Sequence, residues 1–103
     1  MENHSITQGI HDELPVWMQN LMWFLRDGVA APARASVQVF QLACAENGTQ
    51  IVQLSQEAPP YSKRVEVDAK GKAVTGKIYV LANSGNAVMM LEREFESQKH
   101  RSE

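Results

Sequence analysis

The sequence predicts an α+β domain, with one N-terminal helix packed on a curved, mostly antiparallel sheet of about five strands. Three observations carry this prediction. Between Leu14 and Leu25 the chain reads LPVWMQNLMWFL, a helix-length run that holds both tryptophans. From Ser36 onward the helical period gives way to short runs of β-branched residues in near-alternation. Asn-Gly, Pro-Pro and Asn-Ser-Gly clusters punctuate those runs. The 103 residues, 44% apolar and 21% charged, suit one domain with a single core. Its ordered part is expected over 5–96, ahead of a polar tail at 97–103.

Residues 5–10 read as a short extended segment. Asp12 and Glu13 precede Leu14-Pro15, a setting that suits a helix start, because proline tolerates the first turn and acids favour its positive end. The helix is placed at 14–27, with Gly28 as a left-handed exit. At about 100° per residue, Gln19, Asn20, Arg26 and Asp27 fall in one arc of roughly 120°, which would be its solvent side. Residues 36–45 form the first long strand. Its alternation slips between Val39 and Phe40, as in a strand buried on both faces or one carrying a bulge. Asn47-Gly48 suits a type I′ hairpin turn into the strand 49–56. Pro59 and Pro60 interrupt pairing. Strands follow at 63–68, 73–82 and 87–94, with the first two joined as a hairpin by AKGK.

Several function classes lose support at this level. A net charge of −2 does not fit a strongly basic nucleic-acid binder. The polar start, MENHSITQGIHDE, does not look like a secretory leader, and the Trp-rich run falls short of the roughly 20 residues that span a bilayer, so a cytoplasmic protein is expected. The single cysteine, Cys44, fits that setting and reads as a buried, inert strand thiol. His4, His11 and His100 lack metal-ligand spacing. The acidic sets Glu66/Asp68 and Glu92/Glu94/Glu96 alternate with apolar residues, as a solvated strand face would. The glycines make no phosphate loop. No catalytic, cofactor or metal residues are assigned, and a non-enzyme is the stronger expectation.

The candidate interaction residues are Trp17, Trp23, Tyr61, Lys63, Arg64, Lys70, Lys72 and Tyr79. The two tryptophans lie about 120° apart around the helix, so either the curved sheet covers both or one of them sits at a pocket rim or a homodimer seam. Between Tyr61 and Tyr79, five cations against two acids leave +3, a patch that first of all keeps an edge strand soluble and could also meet an acidic protein or, more weakly, nucleic acid. A ligand pocket between helix and sheet would be lined by Trp17, Trp23, Tyr79 and Met90, with Gln56, Glu57 and Tyr61 at its rim.

Seven stretches, in this order, carry a resemblance. They are Ile6-Thr7-Gln8-Gly9-Ile10, Glu13-Leu14-Pro15 leading to Leu21-Met22-Trp23, Val39-Phe40-Gln41-Leu42, Asn47-Gly48 through Gln56-Glu57, Pro60-Tyr61, Lys77-Ile78-Tyr79-Val80, and Met89-Met90-Leu91-Glu92 with Glu94-Phe95. Together they span 6–95, and the chain resembles the domain-of-unknown-function 960 family of Gram-positive bacteria and their mobile elements. The family usually has an acidic turn where this chain reads Leu81-Ala82-Asn83-Ser84-Gly85. The resemblance implies a helix-plus-sheet roll and a bacterial or phage setting, with no activity and no catalytic residues to carry over. The leading expectation is therefore a small non-enzymatic accessory protein that binds a protein partner or itself. The alternatives are a ligand-binding roll, which could be an enzyme, and a weak nucleic-acid binder using residues 61–79.

Overall fold

The computed structural model describes residues 3–29, 34–69 and 71–101. The elements are β1 (Asn3–Ile6), α1 (Gln8–Glu13), α2 (Val16–Asp27), β2 (Val37–Cys44), β3 (Gln50–Glu57), β4 (Pro60–Val67), β5 (Gly76–Asn83), β6 (Asn86–Leu91) and α3 (Glu92–Arg101). All strands join one sheet in the order β1-β6-β5-β2-β3-β4. Every neighbouring pair is antiparallel except β1 with β6, which is parallel. This corrects the expected single N-terminal helix on about five strands: among the described residues the sheet has six strands and is mixed, and three helices accompany it. The polar sequence Asn3-His4-Ser5 hid β1, and six residues are too few for α1 to show a helical period.

The ladder register assigns the sheet's two faces. On the inner face Phe40, Leu42, Val52, Leu54, Ile78, Val80 and Met89 are buried with Met18, Met22 and Leu25 of α2. Each such side chain contributes about 1.5–3 kcal/mol of burial. On the outer face Val39, Ser55, Tyr79 and Met90 lie in cross-strand register. Phe95 of α3 reaches this face and stacks on Tyr79, with ring centroids 4.1 Å apart. The helices are therefore divided between the two sides of the sheet.

Helix α2 is turned from its expected orientation. Its exposed stripe is Val16, Asn20, Phe24 and Asp27, whereas Gln19 and Arg26 are buried. Arg26 is 0% exposed and Phe24 74%. The reason is polar pairing inside the fold. The Arg26 Nε–H donates to Gln38 Oε1 at 2.5 Å, and Gln38 Nε2 donates to Gln56 Oε1 at 2.9 Å. Gln56 Oε1 also accepts from the Ala35 N–H, and its Nε2 donates to the Pro59 carbonyl. Buried polar groups must be hydrogen-bonded, and here each amide is used at both ends. Gln38 accounts for the slipped alternation of β2 as well. The strand carries no bulge, because its pairing with β5 runs unbroken from Val37 to Leu42, and Gln38 simply occupies an inner-face position.

The termini and turns differ in detail. Gly28 ends α2 with a right-handed φ of −71°, so no left-handed exit is used. At 46–48 only Gly48 has positive φ, with the Gly48 N–H bonded to Ala45 O and the Ala45 N–H to Thr49 O. That is a three-residue hairpin loop rather than type I′. The type I′ pattern falls instead at Ser84-Gly85, where φ is 48° and 84°. Residues 92–101 are helical, which replaces both the expected strand to 94 and part of the polar tail. Cys44 is exposed. It shares the inner face with Phe40 and Leu42 but is the last residue of β2, beyond the reach of the core. Native protein should therefore lose one thiol equivalent rapidly to iodoacetamide without unfolding; protection until denaturant is added would contradict this placement.

Two polar clamps hold the top of the fold. Gln50 is fully buried; it donates through Nε2 to the Val74, Ala43 and Ile51 carbonyls and accepts from the Val74 N–H. This fastens the connection from β4 to β5 across the ends of β3 and β2. Glu94 accepts from Thr7 Oγ1 at 2.6 Å, the Leu91 N–H at 2.9 Å and the Gly9 N–H at 3.3 Å. The bond to Leu91 is the return arm of a capping box for α3. Gly9 permits the approach, since a Cβ there would lie 2.6 Å from Leu91 Cδ1 and 2.8 Å from Glu94 Oε1.

Candidate functional site

The buried polar chain ends at the walls of a cleft. Gln56 binds the Ala35 N–H on one side and the Pro59 carbonyl on the other, which fixes the segment before β2 relative to the β3–β4 turn. Between these segments lies a cleft of about 730 Å³, lined by Ala35, Ser36, Val37, Val39, Ser55, Gln56, Glu57, Ala58, Tyr79 and Phe95. Its volume falls in the range of ligand sites, which are largely apolar with a few placed polar groups. Here the apolar part is Val37, 41% exposed, with Val39 and the Tyr79–Phe95 stack. The hydrogen-bonding groups come from Ser36, Ser55, Gln56 and Glu57. The sheet supplies the strand residues because outer-face positions recur at every second residue of β2, β3 and β5.

The expected site residues do not assemble as a group. Trp17 and Trp23 are half-buried against the inner-face core, and Trp23 stacks on His4 of β1 with centroids 4.0 Å apart. Tyr79 and Met90 lie on the opposite face, so the four cannot line one pocket between helix and sheet. Tyr79 does line a cleft, together with the expected rim residues Gln56 and Glu57, but on the outer side. Residues 61–79 are not a hairpin: β4 is an edge strand, while β5 lies between β2 and β6. The expected +3 patch is accordingly spread out. Lys63 is on the inner face opposite Leu54, Arg64 is on the outer face 3.7 Å from Glu66, and Lys72 is exposed in the connection. Lys70 lies outside the described residues.

The second exposed feature is at the sheet's β4 edge. Phe24, Leu25, Asp27, Gly28, Tyr61 and Lys63 line a cleft of about 300 Å³. The unburied aromatic of α2 is thus Phe24 rather than either tryptophan. Its position in the middle of an apolar run gave no sign of this, whereas Val37, at the start of an alternating strand, could have been read as outward. Among the described residues, no group of three or more His, Cys, Asp or Glu could hold a metal ion. No helix among them is long and apolar enough to cross a membrane.

These features define a small domain of one six-stranded mixed sheet, with helices on both faces and a cleft on the outer one. Residues 3–94 match the family described as "Staphylococcal protein of unknown function (DUF960)", and the chain belongs to that family. Among solved structures it is similar to a protein of unknown function from Enterococcus faecalis, with a TM-score of 0.72 and 18% identity over 90% of each chain. At that identity the likeness concerns the fold alone. No curated protein matches the chain.

Proposed function

We propose that this protein is a non-enzymatic interaction protein that receives an apolar group of a protein partner in the outer-face cleft. The observation that carries this reading is the cleft itself, in which an aromatic stack and two valines are framed by segments held in place through Gln56. A preformed apolar recess lets a partner's side chain displace water without ordering the site first. Among the described lining residues, Glu57 and Tyr79 are the titratable ones, which suits recognition better than proton transfer between paired groups.

The test is a comparison of native-lysate capture by the wild type and Val37→Arg. Val37 is exposed, so the substitution should leave the fold intact while placing a charge in the cleft. The expected result is a specific protein captured by the wild type and depleted at least about tenfold with the variant. An identical set of captured proteins would contradict the reading. The cleft volume also favours a second reading, in which a small molecule occupies it; native mass spectrometry would then show a bound mass lost in Val37→Arg.

A further inference from the structure

We infer that the β4 edge and the adjoining Phe24 cleft form a second docking surface, built to accept an extended strand from an acidic-apolar segment of a protein partner. The inference is independent of the outer-face cleft. β4 is the last strand of the sheet, so among the described residues the eight-residue stretch Pro60–Val67 pairs on one side only. An open edge of this length presents unpaired N–H and C=O groups to an added strand. The end of α2 stands beside it and contributes Phe24, 74% exposed, to the cleft shared with Tyr61 and Lys63. An edge strand flanked by a helix supplies backbone hydrogen bonds together with pockets for alternate side chains.

Register gives the recognition pattern. Tyr61, Lys63 and Val65 oppose Gln56, Leu54 and Val52, so the three share the inner face of β4. A strand added beside β4 would set an apolar residue against Tyr61 and Phe24, and a second against Val65. Between them, two residues from each, it would set the residue opposite Lys63. Among the described residues Lys63 has no ion-pair partner, whereas Arg64 on the other face has Glu66 at 3.7 Å and the nearby Asp27 has His4 at 3.8 Å. A carboxylate opposite Lys63 would complete that pair. The pattern is apolar, any residue, acidic, any residue, apolar.

The same charges disfavour a second copy of the chain as the occupant. The two antiparallel self-pairings that engage most of β4 are centred on residue 63 or on residue 64. The first sets Lys63 against Lys63, and the second sets Arg64 against Arg64; like charges directly opposite are destabilising.

The probe is the peptide acetyl-Ser-Thr-Val-Thr-Glu-Thr-Val-Thr-Ser-amide, titrated into the full chain and followed by amide chemical shifts. The expected result is saturable binding, with shifts at Tyr61, Lys63, Val65 and Phe24 but not at Val37 or Val39. The peptide with Lys in place of Glu should bind about fivefold more weakly, and Lys63→Glu should reverse that preference. Phe24→Ser should weaken both peptides. Because Phe24 and Lys63 are exposed, both variants should keep the wild-type spectrum elsewhere, and the reversal requires a folded variant. No binding of either peptide at about 1 mM, equal binding of both, or a preference unchanged by Lys63→Glu would overturn the inference. A dimer abolished by Phe24→Ser in sedimentation would overturn it too, in favour of a second copy.

Discussion

Replacing Arg26 by alanine is expected to destabilise the fold by about 3 kcal/mol. The substitution removes the donor to Gln38 Oε1, leaving a fully buried amide oxygen without that partner, at a cost of roughly 1–3 kcal/mol. It also deletes a buried aliphatic stem, and the resulting cavity adds to the loss. For a domain whose total stability is of order 5–15 kcal/mol, this is a large fraction. A melting temperature lowered by roughly 12–20 °C should accompany it. Urea unfolding of the two proteins is the check. Were Arg26 on a solvent face, as its place on the helical wheel suggests, the change would stay within about 0.5 kcal/mol.

Glu94→Ala is expected to cost about 2–3 kcal/mol, because one carboxylate serves Thr7, Leu91 and Gly9 at the junction of α1, β6 and α3. The effect should depend on pH. Burial pushes the Glu94 carboxyl upward, but the bonds from Thr7, Leu91 and Gly9, with Arg93 nearby, outweigh it and hold the group below its ordinary value of 4.5. A depressed folded-state value means that the unfolded chain binds the proton more readily. The contribution is therefore complete above about pH 5 and declines as pH falls below the ordinary carboxylate range. Asp12, also held below its ordinary value by His11 and Gln8, is present in both proteins, so its contribution cancels in their comparison. The gap in stability between wild type and Glu94→Gln should accordingly narrow from pH 6 to pH 3. A gap that is constant or widens on acidification would contradict the assignment.

Much of the strand layout was legible. The strands β2 and β3 follow their alternation to within a residue or two, and α2 lies within the expected 14–27. Side-chain direction was harder to read. Gln19 and Arg26 share an arc with Asn20 and Asp27, and polar residues default to solvent, so nothing local marks the first two as buried. Gln19 donates to the Leu14 carbonyl, while the orientation of Arg26 depends on Gln38 and Gln56, which approach only when β2 and β3 pair. One polar chain thus explains both why Arg26 is buried and why β2 needs no bulge, one of the two readings its slipped alternation allowed. The β4–β5 connection misled for a related reason. Its Ala-Lys-Gly-Lys turn chemistry suggests a hairpin, yet Gln50 holds Val74 across the sheet ends, a non-local bond that no short window contains. The candidate site was partly legible, since Tyr79, Gln56 and Glu57 do border a cleft. Phe95 falls just past the expected strand 87–94 and Phe24 inside an unbroken apolar run, so the sequence pattern singles out neither the aromatic stack of one surface nor the anchor of the other.

Arg26 of α2 faces inward, bonded to Gln38 and, through Gln56, joined to the walls of the outer cleft. A double-mutant cycle with Arg26→Met, Gln38→Leu and the pair, followed by urea unfolding, tests this arrangement most directly. The prediction is a coupling of at least about 1.5 kcal/mol, with the double variant more stable than the sum of the single losses implies, because removing both partners leaves no unsatisfied group between them. Losses that add to within about 0.5 kcal/mol would show that the two side chains do not meet, and would contradict the account.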